Sequence, residues 1–101
     1  MPESNGRFRL RLLDRARRDP QLARRLRELA DWDRLLSTPH PHLQLGLAQS
    51  PGQIRSLQVN LQAGCDALAR ELGEGGEDPR VLARELERNV RAWVRDLDEQ
   101  G

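Results

Sequence analysis

From Ser50 to Leu72, SPGQIRSLQVNLQAGCDALAREL, the apolar residues return on a helical period. At about 100° per residue, Ile54, Leu57, Leu61, Cys65, Leu68 and Leu72 fall in one narrow stripe, close to a heptad seam. Ser50 is placed to cap the helix, Pro51 suits its first position, and Gln53 stands where a capping box uses Glu or Gln. Gly73 is expected to end it in left-handed geometry. A stripe this narrow needs cover from other helices.

Three further segments carry the same kind of pattern. In Arg7 to Arg18, Phe8, Leu12, Leu13 and Ala16 share a face and Leu10 lies off it, which predicts a short amphipathic helix. Asp19-Pro20 breaks the chain and starts a second helix, predicted over 20–36, with Leu22, Leu26, Leu29 and Leu36 on one side and Arg24, Arg25, Arg27 and Arg34 on the other. Asp33, beside Trp32, interrupts the leucine face, so either Asp31 or Asp33 recaps a kinked last turn or Asp33 meets an arginine across an interface. Asp78-Pro79 repeats the Asp-Pro start for a helix over 79–97, whose stripe is Leu82, Leu86, Val90, Trp93 and Leu97, with Ala83 and Val94 at its edge. Asn89, near the centre of that stripe, is a candidate register-setting polar residue.

These elements predict an all-α fold, a small antiparallel bundle of three long helices plus a short N-terminal one. Its expected core is Leu26, Leu29, Ile54, Leu57, Leu61, Cys65, Leu68, Leu86, Val90 and Trp93. The chain reads as one domain over residues 1–101, with frayed ends at 1–6 and 98–101 and a long Pro-containing loop at 37–50. Leu43, Leu45 and Leu47 alternate with Gln44 and Gly46 in that loop, as an extended segment laid over the bundle or an apolar arm offered to a partner would. The seam of the central helix is straight enough to zip against a symmetry mate, so a homodimer is expected.

Composition agrees with a helical bundle: 33% of residues are charged, and only Phe8, Trp32 and Trp93 are aromatic. The net charge of +1 hides an asymmetry. Residues 1–30 hold nine Arg against four acids, +5; residues 31–63 balance at zero; residues 64–101 hold six Arg against ten acids, −4. Such a distribution fits a head-to-tail assembly or a basic patch facing an anionic partner. No stretch approaches the length of apolar chain needed to span a bilayer and no leader pattern opens the sequence, so a cytoplasmic protein without membrane contact is expected.

Catalytic patterns are missing. Cys65 lies on the apolar stripe, where a thiol serves as a small hydrophobe, and His40 and His42 sit in the Pro-rich loop without an acid or a second cysteine near them. Nucleophile motifs and phosphate-binding glycine loops are absent, so no enzyme activity, cofactor or metal is expected.

Ala67-Leu68-Ala69-Arg70-Glu71-Leu72-Gly73 resembles the first helix and turn of bacterial helix-turn-helix repressors. The resemblance implies a motif over residues 67–94, with Pro79 to Val94 as reading helix and Arg80, Arg84, Arg88 and Arg91 as contacts, although GEGGEDP is longer and more acidic than the usual turn. In composition alone the chain is also similar to small helical subunits of nucleoprotein effector complexes. The leading expectation is a non-enzymatic protein-interaction module, an adaptor, regulator or small subunit, using Leu43, Leu45, Leu47, Trp32 and Asp33. The alternative is nucleic-acid binding through Arg7, Arg9, Arg11, Arg15, Arg17, Arg18, Arg24, Arg25 and Arg27.

Overall fold

The computed structural model describes residues 6–37 and 51–100. They form α1 (Arg7–Arg18), α2 (Pro20–Ser37), α3 (Pro51–Leu72) and α4 (Pro79–Gln100), with no strand among the described residues. The helices pack as the expected small all-α bundle around one apolar core.

Aspartate and proline set two of the helix starts as the sequence predicts. Asp19 leaves α1 in extended geometry, and its Oδ1 accepts from the N–H groups of Gln21 at 3.0 Å and Leu22 at 3.3 Å while Pro20 begins α2. Asp78 does the same for α4, accepting from the Arg80 N–H at 2.9 Å. The end of α3 differs from expectation, because Gly73 is not left-handed; Gly76, at φ 91°, takes that geometry in the turn. Gly73 is needed for room, since a Cβ there would lie 2.6 Å from the Ala69 carbonyl oxygen and 3.0 Å from Leu82 Cδ1. At the other end of α4 the expected fraying at 98–101 gives way to helix through Gln100, because Leu97 is buried and Asp98 is bonded to Arg27 of α2.

The core follows the predicted stripes closely in α1, α2 and α4. Phe8, Leu12, Leu13 and Ala16 are buried while Leu10 is exposed, and Leu22, Leu26 and Leu29 are joined by Leu82, Leu86, Val90, Trp93 and Leu97. Phe8 meets Trp93 edge to face, with ring centroids 6.2 Å apart. Two expected core residues are not in it. Leu61, Cys65 and Leu68 are buried, but Ile54 is 38% exposed and Leu57 only half-buried.

Helix crossing explains the difference. Arg25 with Glu71 and Leu29 against Gly64 run α2 and α3 in opposite senses; Arg27 with Asp98 and Asp33 with Arg91 do the same for α2 and α4. The turn over residues 73–78 also sets α3 against α4. Three helices cannot all oppose one another with parallel axes, so they cross, as ridge-into-groove packing permits. The C-terminal half of α4 is given to α1 and α2, through Phe8–Trp93, Arg9–Asp96 and Arg27–Asp98. The first half of α3 is left with less cover.

Two polar expectations also change. Helix α2 runs unbroken to Ser37, so neither Asp31 nor Asp33 recaps a turn. Asn89 is half-buried and its Nδ2 donates to the Glu85 carbonyl one turn earlier, at 2.8 Å, so its amide is engaged within α4. Glu85, next to Arg84 in the sequence, is 5% exposed because α4 has α1, α2 and α3 all packed on it.

Candidate protein-docking surface

The arginines of the first third face the acids of the last third within the same chain. Arg9 pairs with Asp96 at 2.5 Å, Arg25 donates to both oxygens of Glu71 at 3.1 and 2.8 Å, and Arg27 reaches Asp98 at 2.7 Å. Arg11 makes the densest set: its Nε donates to the Leu72 carbonyl at 3.1 Å, its second guanidinium nitrogen to Glu77, and the group lies 5.9 Å from the centroid of the Phe8 ring. A carbonyl of the last turn of α3 is thereby capped from α1. Glu77 is held below the usual carboxylate range, first by the Glu74 N–H at 2.8 Å and then by Arg11; Glu71 is held low by Arg25. The pairs are half-exposed, so each contributes about 0.2–1 kcal/mol and serves chiefly to orient the helices.

Of the other candidate phosphate contacts, Arg18 pairs with Asp14 one turn back at 3.0 Å, and Arg7, Arg15, Arg17 and Arg24 are exposed. The charge asymmetry of the chain is thus met largely inside one molecule. Asp33 takes part too, its Oδ2 lying 2.7 Å from Arg91 Nε, and Trp32 packs half-buried against the core beside it. The interface that Asp33 crosses is the one between α2 and α4. Leu43, Leu45, Leu47, His40 and His42 lie outside the described residues.

On the helix-turn-helix resemblance, α4 presents Arg80, Arg84, Arg88 and Arg91 on its outer arc, together with the acids Glu87 and Asp98, and Arg91 is occupied by Asp33. A groove of about 600 Å³ between α2 and α4 is lined by Arg27, Arg34, Arg91 and Arg95 and by Asp31, Asp98 and Glu99 over Ala30 and Val94. Both signs of charge alternate around it, and Arg34 pairs with Asp31. A smaller hollow of about 290 Å³ between α3 and α4 is bordered by Gln62, Asp66, Arg80 and Arg84 and reaches Cys65. No group of three or more His, Cys, Asp or Glu that could hold a metal occurs among the described residues, and no described helix is long and apolar enough to cross a membrane.

Cys65 is 1% exposed, and burial pushes its thiol up to about 12, with Glu87 and Asp66 adding to the effect. Two measurements follow from that placement. Iodoacetamide at pH 8 should modify the native chain far more slowly than the urea-unfolded one. Above about pH 9 the unfolded thiol ionises while the folded one holds its proton, so the urea midpoint should fall as pH rises from there toward 12, and Cys65→Val should flatten that fall. Equal alkylation rates before and after unfolding would contradict the burial.

One surface was missed by reading stripes alone. From Gly52 to Asn60 every residue of α3 is exposed except Leu57, which is half-buried; Ile54 and Leu57 continue the buried seam outward, and Val59, 56% exposed, projects well away from it. Between Arg34 and Asp66 the only charged residue is Arg55, in a chain that is 33% charged. A solvated helix of this protein carries Arg, Asp or Glu on almost every turn; this half carries Gln53, Ser56, Gln58 and Asn60. Depletion of charge around apolar side chains is the compositional mark of an interface core. The charge-poor run was visible in the sequence, but only the crossing of the helices puts it on the outside. Leu36, in the last turn of α2, is partly buried against the core. Against this geometry, no protein-family model, no curated protein and no solved structure matches the chain.

Proposed function

We propose that this chain is a non-enzymatic helical protein-binding module that docks a protein partner on the first half of α3. One observation carries the reading: a helix half that is exposed, bears Ile54 and Leu57 on one side, and has Arg55 as its sole charge. The ion pairs of Arg9, Arg11, Arg25 and Arg27 favour it further, since they leave less free positive charge for a nucleic acid to meet. In the hollow that Cys65 shares with Asp66 and Glu87 the thiol is 1% exposed and is held in its protonated form, which also agrees with a binding role.

A photo-crosslinking side chain in place of Gln58 tests the site. In cells it should give a discrete protein adduct, and the same group in place of Arg24, on the outside of α2, should not. Adducts from Arg24 alone, or from neither position, would count against docking on this face.

A further inference from the structure

We infer that the partner on this face is a second copy of the chain, with the first half of α3 lying antiparallel against its counterpart across a two-fold axis near Leu57. The inference rests on the docking reading above and names its occupant.

Self-pairing places a patch against itself, so a patch rich in one charge repels its own image. The outer arcs of α1, α2 and α4 are dense in Arg, Asp and Glu, whereas this half of α3 has Arg55 alone, about 100° around the helix from Ile54 and clear of the seam. The polar residues flanking the seam are Gln53, Gln58, Asn60 and Gln62. A carboxamide carries donor and acceptor in one group, so it can satisfy its own symmetry mate, which neither a guanidinium nor a carboxylate can do. An acidic or basic partner would instead have to bury its charges against amides and apolar groups. Ile54, 38% exposed, and half-buried Leu57 lie one turn apart on the same stripe, the spacing at which apolar side chains meet between paired helices, while Leu61 beyond them is already buried in the chain's own core.

The exposed part from Gly52 to Asn60 rises only about 12 Å along the axis. Such a contact buries less than the roughly 800 Å² per partner of a standard interface. The dimer is therefore reversible, with a dissociation constant in the micromolar range.

Sedimentation equilibrium of the full chain, from about 5 to about 500 µM, should move the average mass from that of one chain toward that of two. Gln58→Glu and Gln58→Arg are substitutions at an exposed helical position, and circular dichroism will confirm that each variant stays folded. Each alone should weaken association at least about tenfold through like-charge repulsion across the axis, and an equimolar mixture of the two should restore it. A single-chain mass over the whole range, or association that neither substitution weakens, overturns the proposal. If the mass stays single while the position-58 crosslinker captures a different protein, the second copy is excluded and docking on this face stands. A single mass with no adduct at all removes both.

Discussion

Phe8→Ala is expected to cost about 3–5 kcal/mol, a large part of the roughly 5–15 kcal/mol that holds a domain of this size together. Phe8 is fully buried, meets Trp93 edge to face, and supports the guanidinium of Arg11 from below. Removing the ring takes away the main apolar link between α1 and α4 and loosens the residue that caps α3. The loss should therefore be uneven across the molecule. Limited trypsin digestion of Phe8→Ala in dilute urea should cut first within Arg7–Arg18, where arginines are dense, before the rest of the bundle opens. Equilibrium urea unfolding measures the total, and Phe8→Leu should recover more than half of it. A cost below about 1 kcal/mol would mean that α1 is not integral to the core.

The second large effect concerns Gly64, on the buried half of α3. In an ordinary helix Gly→Ala adds about 1 kcal/mol of stability. Here an added Cβ would stand 2.5 Å from Leu29 Cδ2, and Leu29 is 2% exposed, so its methyl has little space into which to retreat. Overpacking of this kind costs about 1–3 kcal/mol, which should outweigh the propensity gain. Gly64→Ala is expected to destabilise by about 1 kcal/mol and Gly64→Val by 3 kcal/mol or more, since a β-branched residue adds bulk on the same side. Leu29→Ala alone should cost about 2–5 kcal/mol, yet the double variant Gly64→Ala with Leu29→Ala should cost less than the sum, with a coupling near 1 kcal/mol or above. Strict additivity, or a stabilised Gly64→Ala, would show that α2 and α3 are not in close approach there.

Much of this architecture could be read before any coordinates. Asp19-Pro20 and Asp78-Pro79 announce helix starts through a side-chain acceptor and a fixed φ, which are local properties, and the faces of α1 and α4 follow from a 3.6-residue period over residues that are all covered. What stayed hidden depends on distance in sequence. Periodicity tells which side of α3 is apolar but not how far along the helix its neighbours extend, so Ile54 and Leu61 look alike in the sequence and differ in exposure. The charges of residues 1–30 and 64–101 suggest a partner until helices separated by some sixty to ninety positions are brought together, as Arg11 with Leu72 and Arg9 with Asp96 are. Gly73 and Gly76 are equally eligible for the left-handed role, but the Gly73 N–H continues the helical pattern by bonding the Ala69 carbonyl at 2.9 Å, and Gly76 takes the positive φ. Glu85 reads as one more surface acid because nothing local reveals that α4 is enclosed by three other helices.

The closure of α1 against α4 has a consequence during synthesis. Phe8 and Arg9 are translated long before Trp93 and Asp96, the residues that they meet. Until then an arginine-studded segment lacks the aromatic partner that covers its ring, and it is more open to proteases and to nucleic acids near the exit tunnel. Truncation before Trp93 would make that waiting state permanent, so nascent chains of graded length should turn protease-resistant in a single late step.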